Sequence, residues 1–351
     1  MRNFKTLLFA LIASTIALQS CSSDDSPTNN ENEIVYKNGI FTLSEGAMGS
    51  NNAEVTFYKN GTATQNIFKT ANPTLNLGNV ATDLFFENDK AYIVVNLSNK
   101  IEVVQSDNFK TIATITNNLN NPRYIASDNQ NIYVTNWGDA ANANDDYISV
   151  FKKADLSFVK KIDVAEGPDK ILVKNNQLII AHSGGWSNGN SVSFYNLSSN
   201  TLKNIVVGDV PSAIVEDNGT AYVLCSGITW GGTPSAGKIV KLNIDTQSIT
   251  QTINFNEGEN PRFLVKDNNQ LYYTLNNKVF GTTKQATTLP NTPLFTSDAS
   301  YIYSFNVLNN IIYIGDAKDF ASNGDVKYYS TAGSLLGSFT TGIGPNIITH
   351  N

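Results

Sequence analysis

Three tryptophans are the residues of this 351-residue chain best suited to contacting a ligand. Trp137, Trp186 and Trp230 are the only tryptophans in the sequence, and each follows a short apolar run and opens a loop of small polar residues. Large rigid aromatic side chains outside a hydrophobic core are typical of binding surfaces. We therefore expect these tryptophans to lie on one rim of the fold and to bind a ligand.

Polar side chains beside recurring prolines form a second candidate group. The residues directly after four of these prolines are Arg123, Asp169, Ser212 and Arg262. A charged residue at this position suits a ligand contact and suits a contact between neighbouring repeats equally well, so both interpretations stay open. Three further candidates are Asn136 and His182, which end apolar runs, and Phe320, which lies in a later loop.

The sequence lacks the common catalytic and metal-binding patterns. The two histidines, His182 and His350, are far apart, and no His/Cys cluster has zinc spacing. Neither a Gly-x-Ser-x-Gly elbow nor a Walker loop occurs. Residues 139–146 are rich in Asp and Asn but lack the spacing of a calcium-binding EF-hand, which favours a solvated loop. We predict no catalytic residue, no metal site and no cofactor.

The candidate residues combine flat aromatic rings with amide donors and acceptors. Such a surface favours a large, flat, neutral-to-polar ligand over a phosphate or a bare metal ion. The chain has a net charge of −6, with only 15% charged residues and no basic run, which argues against nucleic acid as a partner. Cys225 lies in an apolar run and is predicted to be a small buried hydrophobe.

A repeat positions these residues. Proline-centred anchors recur at intervals of about 44 residues. Each anchor precedes an apolar strand, an Asn/Asp-rich turn, a second strand, a variable loop and two further strands, with no long helical periodicity. Units of this length and content predict an all-β seven-bladed β-propeller of four-stranded antiparallel blades. The proline anchors are Pro122, Pro168, Pro211, Pro261 and Pro345, and weaker anchors are expected at residues 78–80 and 298–301.

The two ends of the repeat region are offset by one strand. The region begins with what corresponds to the second strand of a unit, and it ends with an anchor and a single strand, residues 343–351. The C-terminal strand is therefore predicted to become the missing first strand of the N-terminal blade and to close the ring.

One face of the predicted propeller carries the longer loops. The loops from second to third strands open on the same face as the connections between blades, and five of them are long: 45–52, 136–146, 183–190, 226–237 and 316–324. Long loops on one rim of a rigid scaffold commonly carry function. Because the tryptophans occur in three consecutive units, we expect a lopsided site over those three blades, with the anchor side chains beneath it.

The N-terminus is predicted to be processed. Residues 1–20 have the positive start and short apolar run of a signal peptide, and Leu18-Gln19-Ser20-Cys21 resembles a bacterial lipobox. Cys21 is the predicted lipidation site, although an ordinary secretory signal remains the alternative. Residues 21–33 are predicted to be a disordered tether and residues 34–351 the propeller. Membrane contact is expected through the lipid anchor only.

The anchors, the strand that ends in Tyr133-Val134-Thr135-Asn136 and the lipobox together resemble the YncE-like seven-bladed propellers over residues 34–351. Within that family the chain is most similar to Bacteroidetes-type (BtuG-like) surface lipoproteins. These capture cobalamin and pass it to a TonB-dependent outer-membrane transporter. The resemblance implies an outer-membrane lipoprotein that faces the cell exterior, with a corrinoid over the ring face. No short corrinoid motif is matched, so the candidate site residues come from repeat position alone.

Two further functions stay open at this stage. The same face could bind a partner protein or a surface glycan without any catalysis. A propeller hydrolase or lactonase is the weaker alternative, because Asp169 is the only acid directly after an anchor proline and no metal cage is recognisable. We expect a binding protein rather than an enzyme.

Overall fold

The structure is a computed structural model that describes residues 35–139 and 141–351. The predicted signal peptide, Cys21, the tether and Ile34 lie outside the described residues. Within the described ranges, the chain forms seven four-stranded antiparallel sheets, which confirms the predicted propeller of seven blades.

The strands follow one another blade by blade along the chain. Residues 35–139 and 141–196 contain one short helix, α1 (Ile67–Ala71), which no sequence pattern predicts. Their strands are β1 (Ile40–Ser44), β2 (Glu54–Lys59), β3 (Thr62–Thr64), β4 (Ala81–Glu87), β5 (Lys90–Val95), β6 (Lys100–Gln105), β7 (Thr111–Ile115), β8 (Pro122–Ser127), β9 (Asn131–Asn136), β10 (Tyr147–Lys152), β11 (Phe158–Asp163), β12 (Pro168–Lys174), β13 (Gln177–His182) and β14 (Ser191–Asn196).

The second half contains strands only, and they complete the ring. They are β15 (Leu202–Val206), β16 (Pro211–Asp217), β17 (Thr220–Cys225), β18 (Lys238–Asn243), β19 (Ser248–Asn254), β20 (Arg262–Asp267), β21 (Gln270–Leu275), β22 (Lys278–Thr283), β23 (Phe295–Thr296), β24 (Ile302–Leu308), β25 (Ile311–Asp316), β26 (Asp325–Ser330), β27 (Leu335–Thr340) and β28 (Pro345–His350). We number the blades 1 to 7 in chain order, so that blade 1 contains β28, β1, β2 and β3.

Asn-rich turns explain why the strands fold back so tightly. Asn218 and Gly219 connect β16 to β17 with φ angles of 49° and 79°, and Asn309 and Asn310 connect β24 to β25 with φ angles of 53° and 61°. Two successive left-handed residues make the turn that matches the twist of a hairpin, and Asn and Gly tolerate that conformation best. The Asn/Asp clusters in the sequence therefore set the hairpins on the face opposite the long loops.

Burial changes from the axis to the outer edge of each blade. The second strands are almost fully buried, as β13 shows at all six positions, because neighbouring blades cover both faces. The fourth strands are mostly exposed, as in β15. The core therefore lies between blades: one cluster joins Ile179 of blade 4 to Val223 of blade 5.

Ring closure occurs as predicted. Strand β28 pairs antiparallel with β1, from Ile40 opposite His350 to Ser44 opposite Pro345. The buried carboxylate of Glu54 strengthens the junction, because it accepts hydrogen bonds from the backbone N–H groups of Gly342 and Asn66, each at 2.6 Å. Burial raises the pKa of this carboxyl group.

The anchors join each first strand to the loop that follows the second strand. The N–H of Ser226 donates to the carbonyl of Val210 at 2.8 Å, and the N–H of Glu45 donates to that of Gly344 at 2.9 Å. Val210 adopts a left-handed φ of 54°, which is strained for a β-branched residue. The hydrogen bond helps to hold this conformation. The anchors thus place residues after the second strands beside the axis.

Candidate functional site

A cavity of about 510 Å³ lies along the axis of the propeller. It is lined mainly by the seven first strands, whose neighbours contact each other around the ring. The residue directly after each anchor proline, or after Ala81 and Ile302 in the two blades without a proline, forms the same ring position in every blade. These seven lining residues are Thr82, Arg123, Asp169, Ser212, Arg262, Tyr303 and Asn346.

Four of these seven positions were predicted from the sequence. Arg123, Asp169, Ser212 and Arg262 all line the cavity. Asn346 was missed although it directly follows Pro345, which is itself an anchor. Thr82 and Tyr303 follow anchors without a proline, and only the repeat spacing could have indicated them.

Arg123 and Asp169 form an ion pair across the boundary between blades 3 and 4. Arg123 Nε lies 3.2 Å from Asp169 Oδ1, and Ser183 Oγ donates a hydrogen bond to Asp169 Oδ2. Burial opposes the charge of Arg123, but the Asp169 carboxylate together with Tyr124 and Tyr303 outweighs this effect, so the pKa of the guanidinium is raised. The guanidinium therefore stays charged, and the ion pair connects neighbouring blades, which is the structural role that the sequence left open.

Trp137 covers this ion pair. The guanidinium carbon of Arg123 lies 4.0 Å from the centroid of the Trp137 ring, which is cation–π distance. Trp137 directly follows β9 and is half-buried, and its Nε1 is buried without a hydrogen-bond partner among the described residues. The Arg123 guanidinium, which belongs to the cavity wall, therefore holds the Trp137 ring in place.

The other two tryptophans extend the aromatic surface away from the axis. Trp186 meets Trp137 edge to face, with ring centroids 6.2 Å apart. Asn188, in the same loop as Trp186, donates a hydrogen bond to the carbonyl of Trp230 at 3.1 Å. Trp186 and Trp230 are each 62% exposed. Both lie deeper in their loops than Trp137, so the three residues are neighbours on one face but are not equivalent positions of the repeat.

A second aromatic cluster surrounds Phe320 in blade 7. Its ring centroid lies 4.8 Å from that of Tyr303 and 5.4 Å from that of Tyr301. Tyr303 also donates a hydrogen bond to Glu45 Oε2 at 2.8 Å, across the junction between blades 7 and 1. Burial raises the pKa of Glu45 despite this hydrogen bond. Aromatic and carboxylate groups therefore meet at the same rim of the cavity.

Asn136 and His182 lie inside the blades rather than at the cavity. Asn136 is buried, accepts a hydrogen bond from the N–H of Asn120 at 3.0 Å and contacts Ser149. His182 is buried, with its Nε2 at 2.6 Å from Ser193 Oγ. These contacts give both side chains a packing role. A ligand contact by either residue stays a prediction.

Residues 38–261 match the family described as domain of unknown function DUF5074. The chain belongs to this family. No curated protein sequence matches this DUF5074 chain significantly.

Solved structures share the fold of this DUF5074 chain at low sequence identity. A quinoprotein alcohol dehydrogenase-like protein from Bacteroides thetaiotaomicron is 14% identical, with a TM-score of 0.65 and coverage of 90% of this chain and 79% of the other. Hydrazine synthase from Kuenenia stuttgartiensis is 16% identical, with a TM-score of 0.59 and coverage of 74% and 85%. BamB from Moraxella catarrhalis is 12% identical, with a TM-score of 0.51 and coverage of 88% and 85%. These similarities establish the propeller fold alone.

No group of three or more His, Cys, Asp or Glu side chains in residues 35–139 and 141–351 is arranged to hold a metal ion. Cys225 is buried, and burial raises its pKa to about 12, so the thiol stays protonated. None of the helices in the described ranges has the length and apolar character needed to cross a membrane.

Two buried groups near the tryptophan loops have opposite effects on the pH dependence of stability. Burial, together with the carboxylates of Asp145 and Glu166, raises the pKa of Asp146 from 3.8 to about 6. Burial lowers the pKa of His182 from 6.5 to about 4. Asp146 therefore contributes stability that is present at the acid end and is lost as the pH rises through its folded pKa. His182 contributes stability that is present at neutral pH and is lost as the pH falls through its folded pKa.

Substitution of either group should expose the effect of the other. We expect Asp146→Asn to make the free energy of unfolding fall more steeply as the pH decreases through this window, by up to about 3 kcal/mol. His182→Gln should give the opposite slope. Denaturant titrations from pH 4 to pH 7 measure both, with Asp245→Asn, at an exposed turn, as the control. Profiles parallel to that of the unmodified protein in both variants would contradict the assignment.

Proposed function

We propose that this protein is a non-catalytic binding protein that captures a large, flat, polar nutrient, and that the ligand is a corrinoid such as cobalamin. The observation that carries the proposal is the aromatic pair of Trp137 and Trp186, with the exposed Trp230 in the neighbouring loop, next to the polar axial cavity that Arg123 lines. Pockets that bind small molecules combine a mainly apolar contact surface with a few placed polar groups. The tryptophan rim and the axial cavity supply these two parts.

Size decides how such a ligand would bind. A corrinoid is larger than a cavity of about 510 Å³, so it would lie across the loops and send only a substituent into the axis. The contact would be lopsided, because exposed tryptophans occur over blades 4 and 5 while the loop of blade 6 is only residues 276–277. Phe320 would contact the opposite edge of the ligand.

The proposal includes a cellular role that rests on the N-terminal sequence and the family resemblance. The chain would be lipidated at Cys21, anchored in the outer membrane and exposed to the cell exterior. It would pass its ligand to a TonB-dependent outer-membrane transporter. A transporter gene beside the gene for this protein would support this role.

Calorimetry with cyanocobalamin tests the ligand. We expect saturable binding with quenching of tryptophan fluorescence. Combined Trp186→Ala and Trp230→Ala substitution should weaken the affinity at least about 30-fold, because truncating an aromatic hot spot costs about 2 kcal/mol or more.

Phe158→Ala is the matched control, since Phe158 is an exposed aromatic residue of the outer strand β11 and lies away from this face. It should bind cyanocobalamin like the unmodified protein. Absence of both heat and quenching in the unmodified protein would eliminate corrinoids as the ligand.

A glycan or protein partner is the second candidate, and one observation favours it. Trp186 and Trp230 are each 62% exposed in loops rich in Ser, Gly and Asn, a composition shared with adaptable protein-binding loops. This function predicts that the protein purifies with an outer-membrane complex without any corrinoid. The same double substitution of the tryptophans should then abolish that association.

A further inference from the structure

The axial cavity is lined by equal numbers of acidic and basic side chains, but not all of these side chains are joined in ion pairs. Three acidic and three basic side chains face it, so their formal charges sum to zero. They are Glu45, Asp83, Asp169, Arg123, Lys170 and Arg262. Because buried charges are costly without partners, the partner of each group indicates whether it is structural or free to meet a ligand.

All three carboxylates have partners within the fold. Asp169 pairs with Arg123, and Glu45 accepts the hydrogen bond from Tyr303. Asp83 Oδ2 accepts the backbone N–H of Ile125 at 3.0 Å. Each carboxylate therefore has a partner inside the fold, and among the described residues none of the three forms an ion pair with Arg262.

Lys170 is engaged on the side of the cavity near blades 3 and 4. Its Nζ lies 3.5 Å from the centroid of the Tyr124 ring. Burial raises the pKa of Asp83, and the positive charge of Lys170 offsets part of this effect. Lys170 thus interacts with an aromatic ring and with an acidic side chain inside the fold.

Arg262 has aromatic neighbours but no carboxylate partner among the described residues. No carboxylate of the described ranges lies within salt-bridge distance of it, whereas Arg123, at the same position of the repeat, is ion-paired. Arg262 Nη1 donates to Tyr301 Oη at 3.0 Å and to the carbonyl of Ile302 at 3.3 Å. The guanidinium also lies near the rings of Tyr301 and Phe263. One edge of the group is thereby fixed, and Nε and Nη2 have no protein acceptor among the described residues.

Small hydroxyl side chains occupy the neighbouring blade. Ser212 has the position of Arg262 in blade 5, and its Oγ lies 2.6 Å from Ser226 Oγ. Both serines and Ala213 line the cavity, so this part of the wall leaves open space. Either hydroxyl can turn its proton toward a bound acceptor.

We propose that Arg262, Ser212 and Ser226 form a subsite for an oxyanion, a carboxylate or a phosphate carried by the ligand. A guanidinium fork with one edge fixed presents its remaining N–H groups as paired donors for such an anion. The inference deepens the proposed function, because it assigns the axial cavity to an anionic substituent while the flat part of the ligand lies on the tryptophans. It also revises the neutral-to-polar ligand expected from the sequence.

Inorganic phosphate and acetate are the probes for this subsite. Each is titrated into the full chain at constant ionic strength, with sodium chloride as the compensating salt, and the Tm is measured by differential scanning fluorimetry. A ligand that binds only the folded state raises the Tm in a saturable manner. We expect phosphate, acetate or both to do so, and the more effective probe indicates which anion the ligand carries.

Three variants identify the residue responsible. Arg262→Gln should weaken the apparent affinity for the effective probe at least about tenfold, whereas Arg262→Lys should retain part of it. Lys278→Gln is the matched control, because Lys278 is an exposed cation of the same blade outside the cavity. Since each variant is compared with itself without the anion, a change in its basal stability does not affect the result.

The outcomes separate this subsite from the corrinoid proposal. A saturable shift that is lost in Arg262→Gln supports the subsite even if cyanocobalamin does not bind. A shift no larger than that with sodium chloride, or an equal shift in Arg262→Gln, overturns the subsite even if cyanocobalamin binds tightly.

Discussion

Truncation of the chain after Gly344 is expected to abolish cooperative folding of the propeller. The deletion removes β28, which is the inner strand of blade 1 and also contacts the first strands of blades 2 and 7. Strand β1 would lose its inner partner, and the axial cavity would open to solvent between two blades. The loss is on the order of the whole stability of a typical domain, about 5–15 kcal/mol. Thermal unfolding followed by circular dichroism should show no sigmoidal transition.

A point substitution in the same strand provides a milder version of this test. Ile348 is buried in a cluster with Tyr313, Val326 and Phe339. Ile348→Asp would place an unpaired charge there and should lower the free energy of unfolding by more than about 4 kcal/mol. His350→Asp, at an exposed position of the same strand, is the control and should change it by less than about 0.5 kcal/mol. Similar unfolding midpoints for both variants would show that the ring does not depend on this strand.

The fold could be predicted because its signals are local and repeated. Each blade carries its own anchor, Asn-rich turn and strand pattern. A wrong strand assignment in one unit can therefore be recognised by comparison with the other units. The closure of the ring also has a local signature, since the second strand of a unit, β1, comes before any anchor. The short helix α1 has no counterpart in other blades, and no repeat could reveal it.

The contacts within the site could be predicted only in part, because they depend on how blades face one another. Residue position relative to the anchors placed Arg123 and Asp169 on the axis, and the ring then made them neighbours. The bond between Tyr303 and Glu45 joins residues 258 positions apart and exists only because the ring closes. The different exposure of Trp137 and Trp186 arises from loop conformation. Gly184 and Gly185, with φ angles of 102° and 63°, turn the chain beside the Trp137 ring.

Removal of the Asp169 carboxylate is the second substitution with a large expected effect. In Asp169→Ala, the guanidinium of Arg123 would keep its buried position without its ion-pair partner. The Arg123 and Asp169 side chains are only 19% and 14% exposed, so solvent screens the pair weakly. We expect the free energy of unfolding to fall by about 3–5 kcal/mol, as for other buried pairs that lose one member. Urea denaturation at pH 7 measures the change.

An exposed pair provides the matched control for this substitution. Lys161 and Asp163 lie 3.3 Å apart with side chains 44% and 84% exposed. Asp163→Ala should therefore cost less than about 1 kcal/mol. If Asp169→Ala cost no more than Asp163→Ala, the central pair would not join blades 3 and 4 as the geometry indicates.

A double substitution separates the structural role of this pair from a ligand contact. Replacement of both members, Arg123→Met with Asp169→Leu, removes the unpaired charge and should recover most of the stability lost in Asp169→Ala. If Arg123 contacts the ligand, ligand affinity should stay low although stability recovers. The same holds if Arg123, 4.0 Å from the centroid of the Trp137 ring, positions that ring for ligand binding. If stability and affinity recover together, Arg123 and Asp169 act only as a connection between blades. If stability recovers but affinity does not, Arg123 and Asp169 also belong to the binding surface. The apolar replacements can support the fold, but they offer a ligand no charge.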